Sequence, residues 1–287
     1  MTTLGVYGPG RAGVGIALSL ARAGLAVFVH GRTARPLPRD LNATWGGLPP
    51  WLGEVDVVLL GVPDDAVLAV AKELAASGRI SQRQVVLHMS GVLDRSALTP
   101  LDRAGAALGS LHPLQTFTDP ESAPGRLRGS VASVEGDPRA IVAATEIAHA
   151  AGMRPVPISS EAKVKYHAGA VFASNYVVAV AEVARQVLVD AGLPPESAWQ
   201  GLQGLLRGTF ESLAAGLPAD ALTGPISRGD AATVRRHLES LSGDQAELYR
   251  ALGRVALRLA DLKDEEREAV EKVLNDDTLR TTELLRE

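Results

Sequence analysis

The sequence contains no cysteine among its 287 residues. That absence excludes disulfide bonds, thiolate catalysis and metal sites with cysteine ligands, and it is compatible with a cytoplasmic location. The six histidines lack the H-x-x-H or H-E-x-x-H spacing that brings two imidazoles to one zinc ion, so we expect no metal site. A G-x-S-x-G motif and a Walker lysine are also missing, which argues against a serine hydrolase and a P-loop enzyme.

Blocks of basic residues and long apolar runs are missing as well. The formal net charge is −4 at pH 7, so we expect no nucleic-acid partner. The longest apolar run, residues 168–181, is interrupted by Ser174, Asn175 and Tyr176 and is shorter than the ~20 residues that span a bilayer, so it predicts a buried helix. Because no basic segment followed by a long apolar stretch opens the sequence, we expect a cytoplasmic protein without membrane contact.

A glycine-rich loop is the most informative feature that is present. An apolar run at residues 4–7 is followed by the G-x-G-x-x-G pattern and then by an Ala/Leu-rich helical segment. The pattern consists of Gly8, Pro9, Gly10, Arg11, Ala12 and Gly13. In a dinucleotide-binding unit the first glycine makes the tight turn, the second lets the pyrophosphate approach, and the third lets the helix pack on its strand. We therefore predict a dinucleotide site, the alternative being a structural turn without a ligand.

The second predicted strand, residues 25–30, indicates which dinucleotide. An NAD site usually carries an acidic residue at the end of this strand, to bind the ribose 2′-hydroxyl. Here the strand is followed by four candidate cofactor-binding residues, Gly31, Arg32, Thr33 and Arg35, and no acid precedes Asp40. The two guanidinium groups and the hydroxyl could bind a 2′-phosphate through charge-assisted hydrogen bonds. We predict NADP(H), although a solvated basic turn would have the same composition.

The order of predicted elements indicates two domains. Residues 1–158 alternate strands with helices and predict an α/β Rossmann-like, doubly wound parallel sheet. Residues 159–287 contain helical segments only and predict an all-α C-terminal domain for substrate binding and dimerisation. The predicted strands are 4–7, 25–30, 55–62, 84–89, 106–111, 130–135 and 154–158, with helices at 66–77, 138–151, 160–191, 196–215, 230–241, 244–262 and 264–274. The segment that joins the strands 25–30 and 55–62 is rich in proline and predicts a loop.

Polar side chains that follow predicted strands, or that interrupt an apolar helix, are the catalytic candidates. Val62 and Pro63 follow a predicted strand, where the backbone would pass the nicotinamide ribose. His112 ends another strand at the same edge of the sheet, and an imidazole can exchange a proton near neutral pH. His167 and Asn175 lie on one side of the long helix and are costly to bury without partners or a ligand. A hydrogen-bonded core pair is the alternative for these two residues.

Three basic residues could add positive charge to a substrate site. Lys163 and Lys165 lie at the start of the long helix, where a solvated lysine is the alternative. Arg228 follows a Gly-Pro turn and could bind an anionic substrate, or it could be a surface residue. We therefore place Lys165 and Arg228 among the predicted substrate-binding residues.

The chain resembles a known group of proteins that have an N-terminal Rossmann-like NADP-binding domain and a helical C-terminal domain of unknown function. The matching segments are residues 8–13, 110–117, 165–168 with 173–176, and 223–230. This group is similar to the superfamily of ketopantoate reductase, pyrroline-5-carboxylate reductase, prephenate dehydrogenase and β-hydroxyacid dehydrogenase. The pair His112-Pro113 looks like the His-Pro of prephenate dehydrogenases, and the helix around His167 is placed like the catalytic helix of β-hydroxyacid dehydrogenases. The Lys-x-x-x-Asn spacing of the latter enzymes is absent.

The resemblance implies an NADP(H)-dependent oxidoreductase that transfers a hydride to or from a small carbonyl, imine or hydroxy-acid substrate. In that hypothesis His167 or His112 exchanges the proton, and Asn175 orients the substrate or the nicotinamide. The resembling families usually form dimers, so we expect a homodimer. Two alternatives stay open, a non-catalytic NADP(H) sensor or partner-binding protein and a deazaflavin-dependent NADP reductase.

Overall fold

The computed structural model describes residues 2–276 and 278. The strands are β1 (Thr3–Tyr7), β2 (Ala26–Gly31), β3 (Asn42–Trp45), β4 (Val57–Leu60), β5 (Val85–His88), β6 (Ala107–Pro113), β7 (Val131–Gly136) and β8 (Arg154–Pro157). The helices are α1 (Arg11–Arg22), α2 (Asp64–Ala76), α3 (Ala123–Leu127), α4 (Pro138–Ala150), α5 (Lys163–Ala173), α6 (Asn175–Asp190), α7 (Pro195–Ala215), α8 (Pro218–Ala221), α9 (Ala231–Ser240), α10 (Gly243–Leu259) and α11 (Asp264–Leu274).

The eight strands form one sheet in the order β3-β2-β1-β4-β5-β6-β7-β8. Alternate residues of the central strands face opposite layers, so that Val57 and Leu59 join one apolar core and Val58 and Leu60 join the other. Helices cover both faces, which explains why the strand sequences are continuously apolar. The predicted Rossmann-like α/β fold followed by a helical region is confirmed.

One strand pair departs from the predicted parallel arrangement. β7 runs antiparallel to β6, while the other neighbouring strands pair in parallel. The connection between β6 and β7 contains a 3-10 turn at Pro120–Ser122 and the short helix α3, which pack against α1. Because this connection stays at the carboxyl end of β6, β7 begins there and runs back alongside β6 in the opposite direction.

The edge strand β3 lies in the segment for which the composition predicts a loop. It pairs in parallel with β2 over four residues, and its side chains are exposed or half-buried. A short strand at an open edge carries little of the apolar pattern by which buried strands are recognised. The loop prediction is therefore wrong at Asn42–Trp45.

The chain divides into two compact units, Met1–Asn175 and Tyr176–Glu287. The change in composition predicts a boundary between residues 158 and 159. The difference arises because α5 joins the first unit, where the side chain of Lys163 is fully buried. The second unit has its own apolar core, formed mainly by α9, α10 and α11. The final residues of the predicted second domain, 279–287, lie outside the described part of the chain.

The predicted long helix is divided into α5 and α6 by Ser174, whose φ of −128° and ψ of −69° are not helical. The prediction that this stretch is buried is wrong, since only 6% of its most apolar 18-residue window is buried. Among residues 2–276 and 278, Ser160–Asp190 is the one stretch that is long and apolar enough to cross a membrane by length and composition. Val164, Phe172 and Val178 are each more than 60% exposed. Apolar composition marks a contact surface as well as a core.

Candidate active site

The glycine-rich loop connects β1 to α1 at the carboxyl edge of the sheet. Gly8 has a φ of +109°, a conformation that side-chain-bearing residues rarely adopt. A Cβ atom at Gly13 would collide with the Gly8 carbonyl oxygen, so the first turn of α1 packs directly on the end of β1. On the other side of the loop, a Cβ at Gly8 would lie 2.7 Å from Val62, which follows β4 and precedes Pro63. The loop thus lies between the ends of β1 and β4, where the order of the strands changes direction.

Gly10 differs from the other two glycines of the loop, because its neighbours do not require a glycine. It has a φ of −70°, and a Cβ there would make an ordinary contact of 3.6 Å with the Gly61 carbonyl oxygen. Gly10 is also the N-cap of α1, and within the described chain no side chain caps that helix. The first-turn N–H groups therefore lack a side-chain acceptor in the described chain, and Arg11, which begins the helix, is exposed. This combination is what an anionic phosphate needs at a helix N-terminus.

The residues that follow β2 divide into two groups. Arg32 and Thr33 are exposed. Arg35 is also exposed, but it donates a hydrogen bond from Nη1 to the Pro9 carbonyl oxygen at 3.1 Å, so its guanidinium group supports the glycine-rich loop. His30, at the end of the same strand, is 1% exposed and has both ring nitrogens engaged by neighbours. The side chains of Arg32, Thr33 and Arg35 are thus all exposed, and that of Arg35 also contacts the glycine-rich loop.

Two imidazoles come together at the end of β6. The ring centroids of His112 and His167 lie 5.7 Å apart, and His112 Nδ1 lies 3.2 Å from the hydroxyl of Tyr166. His167 Nδ1 is buried and has no hydrogen-bond partner among the described residues. Gly91, after β5, lies against both rings: a Cβ there would be 2.5 Å from His167 Nδ1 and 2.9 Å from His112 Nε2. Two ring nitrogens thus converge on one position.

Burial controls the protonation of His112. Burial is the main cause that lowers the pKa of His112 from 6.5 to about 4, and the neighbouring groups His167, Lys163 and His88 contribute to the same shift. His112 is therefore neutral at pH 7 and can donate a proton from one ring nitrogen while it accepts at the other. Burial also raises the pKa of the Tyr166 hydroxyl, which stays protonated over the same range.

A cleft of about 740 Å³ extends from the start of α1 to the imidazole pair. Its lining includes four predicted site residues, Arg11, His112, His167 and Asn175. Asn175 Oδ1 accepts a hydrogen bond from Ser174 Oγ at 2.7 Å. An apolar wall that includes Leu114 and Phe117 completes the cleft.

Of the two predicted substrate-binding cations, Lys165 lies in the same unit as this cleft but does not line it. Lys165 is exposed on α5. Arg228 is exposed in the second unit, at the end of a 3-10 turn. Lys163 has 0% exposed surface, so the alternative of a solvated side chain is wrong for that lysine.

Three residues around the imidazole pair escape the sequence analysis, namely Ser90, Gly91 and Glu135, and Ser110 falls in the matching segment 110–117 without a predicted role. Their types are common in any sheet protein, and no local pattern distinguishes them. One sequence signal does point to the network beside the imidazole pair. Lys163 and His167 are four residues apart, a separation that puts the two side chains on the same side of α5.

Comparisons with known proteins agree with this architecture. Residues 2–113 match the family model of the Rossmann-like domain, and residues 130–256 match that of DUF2520, a domain of unknown function. The resemblance to a Rossmann-like group with a helical C-terminal domain of unknown function is thereby confirmed. A comparison with curated proteins gave no match.

Solved structures share the fold at low sequence identity. Protein TM1727 of Thermotoga maritima is 26% identical, with a TM-score of 0.72 over 90% of this chain and 98% of that one. A Bacteroides fragilis protein assigned by name to the NADP oxidoreductases is 20% identical, with a TM-score of 0.67 over 90% and 98%. The pyrroline carboxylate reductase of Plasmodium falciparum, solved with NADP bound, is 15% identical, with a TM-score of 0.60 over 95% and 98%. Structural neighbours of this chain thus include NADP-dependent reductases.

Proposed function

We propose that this protein is an NADP(H)-dependent oxidoreductase that acts on a small carbonyl, imine or hydroxy-acid substrate. The observation that carries the proposal is a single cleft whose lining includes both Arg11, at the phosphate-binding end of α1, and the pair His112 and His167. A dinucleotide with its phosphates at α1 extends along the carboxyl edge of such a sheet. Neighbours with the same fold that are named as NADP oxidoreductases support the choice of cofactor class.

The chain's own residues fit a dinucleotide. The uncapped first-turn N–H groups of α1 bind the pyrophosphate, Gly10 leaves space for it, and Arg11 adds a positive charge. Arg32 and Thr33 bind the 2′-phosphate through charge-assisted hydrogen bonds. Bound in this way, the nicotinamide would supply or accept a hydride.

The imidazole pair handles the accompanying proton. His167 lines the cleft, so we assign its imidazole to the reacting oxygen or nitrogen of the substrate. Tyr166 orients His112 through the contact at Nδ1. Asn175, whose Oδ1 is occupied by Ser174, presents its amide N–H groups to a ligand.

Two glycine variants test the cofactor site. Gly10→Ala fits the folded chain but projects a methyl group toward the bound pyrophosphate, so it should weaken NADPH binding at least tenfold with little change in stability. Gly13→Ala collides with the Gly8 carbonyl oxygen and should lower stability itself. Equal NADPH affinity in Gly10→Ala and the wild type would contradict the assignment.

Turnover is tested with a panel of carbonyl, imine and hydroxy acids in the presence of NADPH or NADP, with nicotinamide absorbance as the readout. We expect at least one substrate to turn over, and His167→Gln to lower kcat by 10²- to 10⁴-fold, the usual contribution of a general acid or base. Saturable NADPH binding without any turnover would favour the sensor hypothesis. Turnover with a deazaflavin and with no other substrate would favour the hypothesis of a deazaflavin-dependent NADP reductase.

We also propose that the second unit associates with a second copy of the chain. Twelve large apolar side chains in the described part of this unit, among them Val178, Leu205 and Leu217, are each more than a third exposed. A stable dimer covers about 800 Å² on each partner, and an exposed apolar surface of this extent is unusual on a monomer. Light scattering should give the mass of a dimer, and Leu205→Glu should give a monomer. A monomeric wild type that floats with lipid vesicles would instead favour a membrane.

A further inference from the structure

A buried polar network lies next to the imidazole pair without lining the cleft. Lys163, at the start of α5, has no exposed surface, and Glu135 on β7 is 2% exposed. Ser110 on β6 lies between them and is also fully buried. Because a buried ammonium is costly unless an opposite charge and hydrogen bonds compensate it, the network fixes this lysine at one position.

The ammonium and the carboxylate are joined through one hydroxyl. Lys163 Nζ donates to Ser110 Oγ at 2.7 Å, and Ser110 Oγ donates to Glu135 Oε2 at 2.9 Å. The other carboxylate oxygen, Oε1, accepts from Ser160 Oγ at 2.9 Å and from the Arg95 backbone N–H at 3.1 Å. The carboxylate is thus held from two sides and anchors the lysine in turn.

The second hydrogen bond of the ammonium goes to the turn that follows β5. Lys163 Nζ donates to the Ser90 carbonyl oxygen at 3.1 Å. Ser90 Oγ accepts from the backbone N–H groups of Val92 and Leu93, so the turn is also held from within. The carbonyl that Lys163 holds immediately precedes Gly91, the residue in contact with both imidazoles.

We propose that Lys163 is a positioning residue whose buried ammonium, anchored through Ser110 to Glu135, holds the Ser90–Gly91 turn against His112 and His167. Its charge has a second effect, because a cation near His112 opposes protonation of that ring. The other groups that act on His112 in the same direction are His167 and His88, in addition to burial itself. Lys163 thereby adds to the effect of burial, which is the main reason that the pKa of His112 is about 4.

The electrostatic part is tested by nuclear magnetic resonance of the histidine rings in cofactor-free protein. Lys163→Met and Ser110→Ala both remove the hydrogen bond between these residues, but the methionine variant alone removes the charge. We expect the wild-type His112 ring to stay neutral down to about pH 4, to titrate at higher pH in Lys163→Met, and to behave as wild type in Ser110→Ala. Equal midpoints in Lys163→Met and the wild type would overturn the proposal. So would a wild-type midpoint near 6.5, a result that needs no variant to fold.

The positioning part rests on the proposed function and is tested by kinetics. Lys163→Met should lower kcat at least tenfold and leave the Kd of NADPH unchanged, since the turn after β5 is separate from the glycine-rich loop. An unchanged kcat would overturn the positioning role. If the wild type neither binds NADPH nor turns over a substrate, the proposed function fails, while the ring titration still decides whether Lys163 controls His112.

Discussion

Replacement of Gly91 by alanine tests the geometry of the imidazole pair directly. The added methyl carbon would lie 2.5 Å from His167 Nδ1 and 2.9 Å from His112 Nε2. Non-bonded carbon and nitrogen atoms pack at about 3.5 Å, so the nearer ring must move by about 1 Å. A displacement of about 1 Å at a reacting group costs on the order of 10²-fold in rate, or about 2.7 kcal/mol of transition-state stabilisation. We expect this loss in kcat/KM.

The assay is steady-state turnover with NADPH, together with a separate measurement of NADPH affinity. Gly91 does not adopt a positive φ, so alanine introduces no backbone strain there. Gly125→Ala is the matched control, because a Cβ at Gly125 has no neighbour within 4 Å in the described chain and its φ is not positive either. A Gly91→Ala enzyme within about threefold of wild type would refute the reasoning, and so would a loss confined to NADPH affinity.

Three further predictions concern the cofactor, pH and the buried charges. Arg32→Ala should weaken NADPH binding about tenfold or more and leave NADH unaffected, as isothermal titration calorimetry can measure, because a charge-assisted hydrogen bond contributes about 1.5–3 kcal/mol. Equal effects on both cofactors would contradict this role. Burial lowers the pKa of His88 from 6.5 to about 4, so the unfolded state binds the proton first and stability falls as the pH drops from 6.5 to 4. The free energy of unfolding, measured with urea, should fall by up to roughly 3 kcal/mol over this range through His88 alone. A free energy of unfolding that does not change with pH over this range would contradict the burial argument. Glu135→Gln should cost on the order of 3 kcal/mol by removing the charge opposite Lys163. The double variant Glu135→Gln/Lys163→Met should recover part of that loss in stability, because neither charge is then buried alone. Purely additive losses of the two single variants would refute the coupling between Glu135 and Lys163.

Local patterns account for what could be predicted from the sequence. The glycine-rich loop, the apolar strands and the helix ends each depend on residues that are close to one another in the sequence. The resulting Rossmann-like fold agrees with the structure. His112 could be predicted beside a cleft because parallel strands end at a common edge.

Long-range contacts account for what could not. Lys163 is buried by partners 73 and 53 residues earlier in the chain, Ser90 and Ser110, and neither forms a motif with it. The composition around a helix start favours a solvated lysine, and tertiary contacts reverse that expectation. Gly91 is equally inconspicuous, because its role comes from two imidazoles on other elements.

The antiparallel β7 and the exposed α5 and α6 show a different limit. Strand direction is decided by where the preceding connection packs, and α3 is too short to signal that it stays at one edge of the sheet. The apolar stretch at residues 168–181 predicts a buried helix, and that prediction holds only where other parts of the same chain cover the helix. Its exposure depends on which elements pack against α5 and α6, and a short segment of sequence does not specify that packing.

The central claim is that the loop at residues 8–13, together with the residues after β2, binds a 2′-phosphorylated dinucleotide. Calorimetric titration of the wild-type protein with NADPH and with NADH, at low and at physiological salt, tests it most directly. We expect saturable binding of both, with NADPH at least tenfold tighter and its advantage reduced by salt. Saturable binding of neither dinucleotide, or tighter binding of NADH, would contradict the claim.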